Sequence, residues 1–212
     1  MNTGGIIVCG GQSRRMRLAK ASLPFGEEVM LARVLRLLSE VVQPIVVVAA
    51  PDQTLPPLDA AVEVVRDRCS GRGPLEGLYV GLQSLEGRVE SAYVTGCDVP
   101  LLKPAFVRAM IAALGDHEIA VPRDDRFYHP LAAVYRTRIT VLISQLLDQN
   151  QLRPFFLFEK SKTREVDVQQ LRKVDPNLLT LENLNEPDDY FRALECAGYK
   201  APEELVEALR RE

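Results

Sequence analysis

Cysteine and histidine are scarce in this sequence, and their spacing excludes several kinds of site. The chain has four widely separated cysteines: Cys9, Cys69, Cys97 and Cys196. No two of them form a Cys-x-x-Cys pair, and with only two histidines, His117 and His129, the chain has no zinc-ligand spacing. We therefore expect reduced thiols that pack as small hydrophobic side chains, as they do in cytosolic proteins.

Long apolar runs and a signal-peptide pattern are also missing. No apolar stretch reaches the roughly 18 to 20 residues that a bilayer span needs, and the first five residues lack the basic start of a secretory signal. The formal net charge is −3, which provides no basic stripe of the kind that binds duplex nucleic acid. These absences predict a cytoplasmic protein that binds neither membranes nor nucleic acid.

The first half of the chain alternates short apolar runs with longer amphipathic ones. Strand-like runs occupy residues 6–9, 45–48, 62–65 and 92–95. Helical spacing of apolar residues is found at residues 30–42, 74–85 and 104–114. Such alternation predicts the α/β class, here a Rossmann-like three-layer α/β/α sandwich around a mainly parallel, mixed sheet.

The second half is less regular. Strands are expected at 118–122 and 131–135, on either side of the polar loop 123–126. Helices are expected at residues 137–148, 187–198 and 202–210. Because no repeat and no linker interrupts the chain, we expect a single domain over residues 1–212, with its later residues packed against the sheet.

Polar clusters follow three of the predicted strands, at the carboxyl ends where open α/β sheets bind ligands. They are the segments 10–20, 67–74 and 96–100. In the first segment, Gly10 and Gly11 allow the backbone to approach an anion, and four cationic side chains could balance a triphosphate: Arg14, Arg15, Arg17 and Lys20. The segment is neither a Walker A loop nor a Gly-x-Gly-x-x-Gly motif. The alternative is a tight turn with a solvated basic face.

Two aspartates and one histidine are further candidates. Asp98 directly follows a buried strand, and magnesium needs only one or two carboxylates besides phosphate oxygens; a turn or a helix cap is the alternative. Asp67 could bond a ribose, a base or a metal-bound water, but its neighbours Arg66 and Arg68 favour a surface ion pair. His129 is a lone histidine beside a proline, which favours a structural role.

Residues 8–20 resemble the nucleotidyltransferase signature of the molybdenum cofactor guanylyltransferase family. The family pattern is roughly Leu-Ala-Gly-Gly-x-Ser-x-Arg-Met-Gly-x-Asp-Lys, and this chain has Val-Cys-Gly-Gly-Gln-Ser-Arg-Arg-Met-Arg-Leu-Ala-Lys. Further matches extend the resemblance to about Tyr190 and lie at residues 20–26, 67, 73–77, 97–100, 129–131 and 183–189. The chain departs from the family at Arg17, Ala19 and Glu186, where the family has Gly, Asp and Thr.

The resemblance implies a magnesium-dependent enzyme that transfers GMP from GTP to molybdopterin cofactor and releases pyrophosphate. It implies three catalytic residues, Arg15, Lys20 and Asp98, of which Asp98 binds the metal. Contacts to nucleotide or acceptor are implied for Val8, Cys9, Gly10, Gly11, Ser13, Lys20, Asp67, Gly73, Asp98, His129, Asn183 and Asn185. The NTP-binding half would be residues 1–115, and the acceptor-binding half would be residues 116–200, with Asn183 and Asn185 nearest the acceptor.

The choice of nucleotide depends on the first loop. Members that use CTP tend to have Leu-Ala-Ala-Gly there, whereas this chain has Gly10 and Gly11 after Cys9, which favours GTP. The alternatives are a cytidylyltransferase, a sugar-phosphate nucleotidyltransferase of the same fold, and a nucleotide-binding protein without turnover. Molybdoenzymes or their chaperones are candidate partners of the guanylyltransferase.

Overall fold

A seven-stranded mixed sheet forms the centre of the computed structural model, which describes residues 2–10, 16, 18–60, 62–68 and 71–210. The strands of the protein are β1 (Thr3–Val8), β2 (Pro24–Phe25), β3 (Glu28–Val29), β4 (Ile45–Ala49), β5 (Glu63–Arg66), β6 (Ser91–Gly96), β7 (Ile119–Arg123), β8 (Ala132–Arg136) and β9 (Thr163–Asp167). Strands β2 and β3 form a separate hairpin. The others form the sheet in the order β5-β4-β1-β6-β8-β7-β9, and all of them run in the same direction except β8.

Helices connect most of the strands and cover the sheet. They are α1 (Met30–Ser39), α2 (Pro74–Leu85), α3 (Pro104–Leu114), α4 (Thr140–Asp148), α5 (Pro154–Lys160), α6 (Val168–Leu171), α7 (Pro187–Cys196) and α8 (Glu203–Arg210). Short 3₁₀ turns lie at Lys20–Ser22, Thr137–Ile139 and Leu179–Leu181. Within the described ranges, no helix has both the length and the apolar character that a membrane span needs.

Successive residues of β1 face opposite helical layers, which explains why Ile6, Ile7 and Val8 are all apolar. Ile6 packs in one cluster with Leu82 of α2, and Ile7 packs in another with Leu38 of α1 and Phe106 of α3. A parallel strand with helices on both faces has no solvated side, so its side chains do not alternate between apolar and polar. The predicted three-layer α/β/α sandwich with a mainly parallel, mixed sheet is confirmed.

The strand order changes direction at β1. From β1 the chain crosses over to β4 on one side and returns through β6 on the other, with Val8 opposite Gly96 at the ends of the two strands. This arrangement opens a crevice at the carboxyl ends of β1 and β6, where α/β proteins of this type bind ligands. The loop that enters β8 lies at the same edge, because Ala132 pairs with Thr95 near the end of β6.

A third apolar cluster joins the β2–β3 hairpin to the C-terminal helices. Leu23 and Phe25 are buried there against Tyr190 and Leu194 of α7. The Tyr190 hydroxyl donates a hydrogen bond to the backbone carbonyl of Pro24. This packing holds the segment before α7 near the segment that follows the first loop.

Candidate active site

Lys20, Asp98 and Asn185 meet beyond the carboxyl end of β6, although they are far apart in the sequence. Lys20 Nζ donates to Asp98 Oδ2 over 2.9 Å and to Asn185 Oδ1 over 3.0 Å. The side chains of Lys20 and Asp98 are 14% and 19% exposed, so the ion pair is partly desolvated but open to a ligand. The structure thus brings together three of the residues predicted from the sequence.

The local backbone fixes Asp98 at this point. A Cβ added at Gly96 would collide with Asp98 Oδ1, so the carboxylate occupies space that only glycine leaves open. The carbonyl of Pro100 accepts a hydrogen bond from Arg33 Nε over 2.7 Å, which ties the turn to α1. Because the residue that caps α3 is Lys103, Asp98 is not the cap of that helix, and the alternative of a helix cap is wrong.

The Asp67 carboxylate lies in a slot between two glycines. Its backbone N–H bonds to the carbonyl of Ala49 over 2.9 Å at the ends of β4 and β5. A Cβ added at Gly10 would lie 3.3 Å from Asp67 Oδ2, and one added at Gly77 would lie 3.4 Å from Oδ1. Within the part of the chain that the structure describes, Oδ1 is buried and has no hydrogen-bond partner. A buried acceptor without a partner is costly, which makes Asp67 a candidate ligand-binding group.

The arginines near Asp67 in the sequence form contacts with Glu76 and with backbone carbonyls. Arg68 Nε donates to Glu76 Oε1 over 2.8 Å, and Arg72 pairs with Glu76 Oε2 at 3.4 Å. Arg66 donates to the backbone carbonyls of the loop after β4. The surface ion pair expected around Asp67 therefore forms on Glu76 instead, whose side chain is only 1% exposed. The sequence-based prediction missed this buried carboxylate, because a single glutamate near the start of a predicted helix is usually solvent-exposed.

Burial, with a smaller contribution from the nearby Glu76 carboxylate, raises the pKa of Asp67 to about 6. An unfolded chain has an aspartate pKa of about 3.9, so between these values the folded protein binds more protons than the unfolded one. The free energy of unfolding therefore falls as the pH rises from about 4 to about 6, and the ionised carboxylate destabilises the fold above that range.

Asp67→Asn is expected to stabilise the protein at pH 7.5 by about 1–2 kcal/mol, a value reduced from the full pKa difference because the group is only partly buried. The gain should shrink towards zero at about pH 3, below the unfolded-state pKa of about 3.9, where the wild-type carboxyl group is protonated in both states. Urea unfolding at the two pH values measures both numbers. Asp125→Asn, at an exposed position, is the control. Equal stability of wild type and Asp67→Asn at both pH values would contradict the account.

Cys9 and Cys97 lie side by side after β1 and β6, and both are buried free cysteines. A hydrogen bond to Cys97, followed by burial, raises the pKa of the Cys9 thiol far above its usual range, so the thiol stays protonated. The Cys9 N–H bonds to the Val48 carbonyl over 2.7 Å, and the Cys9 carbonyl accepts from Gln53 Nε2 over 3.0 Å. Gln53, which the sequence did not single out, therefore fixes the backbone at the start of the first loop.

The other residues predicted from the sequence form no side-chain hydrogen bond with Lys20 or Asp98 within the described chain. His129 Nε2 contacts Asp124 Oδ2 at 3.1 Å, so its described side-chain contact stays within the β7–β8 connection. Gly73 precedes α2 with a φ of 70°, and the carbonyl of Asn183 faces Asn185 Nδ2 at 3.5 Å. Several predicted residues lie outside the described residues: Gly11, Ser13, Arg14, Arg15, Arg17 and Cys69.

Comparison with known proteins confirms the resemblance. The family model of the MobA-like NTP transferase domain matches residues 5–165. A molybdenum cofactor guanylyltransferase from Desulfosudis oleivorans is 31% identical over 191 residues, which are 89% of this chain and 93% of the relative. A probable molybdenum cofactor guanylyltransferase from Mycobacterium avium is 35% identical over 199 residues, covering 92% of this chain and 95% of the relative.

The fold is shared with a solved structure. The crystal structure of molybdopterin-guanine dinucleotide biosynthesis protein A from Archaeoglobus fulgidus superposes with a TM-score of 0.77 at 22% identity, and the match covers 92% of this chain and 98% of that chain. The family match spans the strands that carry Asp67 and Asp98, and the two curated relatives match most of the chain. The chain therefore belongs to the MobA-like NTP transferase domain family, and it is a nucleotidyltransferase.

Proposed function

We propose that the protein transfers GMP from GTP to molybdopterin cofactor and releases pyrophosphate, in a reaction that depends on magnesium. The observation that carries the proposal is the junction of Lys20 and Asp98 at the point where the strand order changes direction, 2.9 Å apart and partly open to solvent. The relatives named molybdenum cofactor guanylyltransferase, which are 31% and 35% identical to most of the chain, support the nucleotide and the acceptor.

The Asp98 carboxylate, together with substrate phosphates and water, fits the ligands that a magnesium ion prefers. Mg²⁺ is bound through one or two carboxylates and completes its shell with substrate phosphates and water, and Asp98 provides one carboxylate at a rigid turn. Asp98 would hold the ion, and Lys20 beside it would contact the phosphates. When bound, the ion neutralises phosphate charge and orients the phosphate oxygens.

The chain itself needs to position charges rather than provide a nucleophile. The acceptor phosphate is already anionic, so it can attack the α-phosphorus directly; the new phosphoanhydride bond forms as the bond to pyrophosphate breaks. Lys20 would neutralise the triphosphate and the departing pyrophosphate through charge-assisted hydrogen bonds. In-line alignment of the two substrates then provides most of the remaining rate enhancement.

We assign Asp67 to recognition of the base. Guanine has two adjacent donors, N1–H and N2–H, which match the two oxygens of a carboxylate, whereas cytosine has a single amino group beside an acceptor. Oδ1 of Asp67 has no hydrogen-bond partner within the described chain, and the carboxylate lies against the backbone of Gly10 and Gly77. The edge of a guanine would supply the donor that this oxygen lacks. A pyrimidine that leaves one of the carboxylate oxygens without a donor would bind less well.

The test is a competition assay with purified protein, magnesium, molybdopterin cofactor and equal concentrations of GTP, CTP and ATP. Mass spectrometry of the dinucleotide product should show mainly the guanine form, with one pyrophosphate released for each product. A mainly cytosine product would overturn the choice of GTP, and no product with any of the three would favour a nucleotide-binding protein without turnover. Partner molybdoenzymes or chaperones and a cytoplasmic location remain predictions.

A further inference from the structure

The side chain of Asn185 contacts the nucleotide-binding half of the site rather than pointing only towards the acceptor. Its Oδ1 accepts a hydrogen bond from Lys20 Nζ over 3.0 Å, while the same ammonium group donates to Asp98 over 2.9 Å. A lysine ammonium has three donors and no acceptor, so the atom that faces it must be the amide oxygen. In the described chain, two donors of Lys20 are used in this way, which leaves one for a phosphate oxygen.

The backbone holds Asn185 in place for this contact. Its N–H, together with that of Glu186, donates to Asp189 Oδ2 over 3.1 Å at the start of α7. The preceding residue, Leu184, donates its N–H to the carbonyl of Asp98 over 3.0 Å. The backbone around Asn185 is therefore attached both to α7 and to the turn that carries the predicted metal ligand. Its side-chain Nδ2 also donates to the Asn183 carbonyl over 3.5 Å, while Oδ1 faces the flexible lysine.

We propose that Asn185 is a positioning residue for Lys20 and that it acts on nucleotide binding, a role that rests on the proposed function. Lysine has a long flexible side chain, and holding its ammonium in one place costs conformational entropy. With Asn185 present, the ammonium lies between two acceptors and keeps one donor towards the phosphates. Without it, Asp98 is the only remaining anchor, and Lys20 is less well aligned for the triphosphate.

The test measures GTP affinity without acceptor, by calorimetry in the presence of magnesium. Asn185→Ala should weaken GTP binding about tenfold, as expected for the loss of one hydrogen bond to a charged group. Asn185→Leu, which keeps the bulk of the side chain and removes the acceptor, should do the same if the smaller variant is unstable. Asn177→Ala, at an exposed position between α6 and the Leu179–Leu181 turn, should bind GTP as the wild type does.

A double-mutant cycle with Lys20→Ala tests whether Asn185 affects GTP binding through Lys20 or independently of it. If Asn185 acts through Lys20, the double variant should bind GTP no more weakly than Lys20→Ala alone. Additive losses would overturn the inference, as would Asn185 variants with wild-type GTP affinity and a raised KM for the acceptor. A wild type that binds CTP in place of GTP would overturn only the base choice, and the cycle is then measured with CTP. A wild type that binds neither nucleotide would overturn both proposals.

Discussion

Asp98→Asn is expected to lower turnover by about a hundred- to a thousandfold, the range seen when a preorganised electrostatic group is removed from an active site. Asparagine keeps the shape of the side chain but loses the charge that pairs with Lys20 and would bind magnesium. The fold should persist, because the bond between the Asp98 carbonyl and the N–H of Leu184 involves only the backbone. Initial rates of dinucleotide formation across a magnesium titration measure the loss, and the midpoint of thermal unfolding checks the fold.

A matched control is available on the surface. Asp116 also pairs with a lysine, Lys162, but its side chain is 78% exposed. Asp116→Asn removes a carboxylate from the same kind of ion pair and should leave turnover unchanged, since exposed pairs contribute little. If Asp98→Asn kept wild-type turnover at saturating magnesium, the assignment of Asp98 as the metal ligand would be wrong.

Lys20→Ala is expected to reduce kcat/KM for GTP by about ten- to a hundredfold. Hydrogen bonds to charged groups contribute about 1.5–3 kcal/mol, and about 1.4 kcal/mol is a factor of ten. The ammonium group is 2.9 Å from the Asp98 carboxylate and is only 14% exposed, so its charge acts in a partly desolvated setting. Steady-state rates against GTP concentration, at fixed magnesium and acceptor, give the ratio.

Lys162→Ala is the control for this substitution, because Lys162 is the exposed partner in the surface pair with Asp116. It should leave kcat/KM for GTP at the wild-type value. Kinetics of Lys20→Ala that matched the wild type would instead support the alternative interpretation, in which the first loop is a turn with a solvated basic face.

The central strands of the sheet could be predicted because their buried residues are mostly apolar. Strands β1, β4 and β6 each contain a short run of buried, mostly apolar residues, since both of their faces are covered by helices. Strand β9 was missed because it is an edge strand with mostly polar, solvent-accessible side chains, and only its backbone pairing with β7 makes it a strand. Helix α5 was missed as well, since seven residues provide less than two helical turns of pattern.

The candidate site was predictable to the extent that topology determines it. Asp67 and Asp98 follow strands, and parallel strands bring their carboxyl ends to one edge. The contact between Asn185 and Lys20 depends on how α7 packs against the β2–β3 hairpin, a tertiary contact across most of the chain. Glu76 is likewise buried at the start of α2 and pairs with Arg68 and Arg72, contacts that helical periodicity does not predict.

The hydrogen bond from Leu184 to the carbonyl of Asp98 also has a consequence for synthesis on the ribosome. Every strand of the central sheet lies before residue 168, so the sheet can form while the last part of the chain is still being made. Asp98 then already lies at the end of β6, but the segment that carries Asn185 and the helix that packs against the β2–β3 hairpin have not yet joined it. A nascent chain that stops before this segment would contain all the strands of the enzyme and an incomplete catalytic centre.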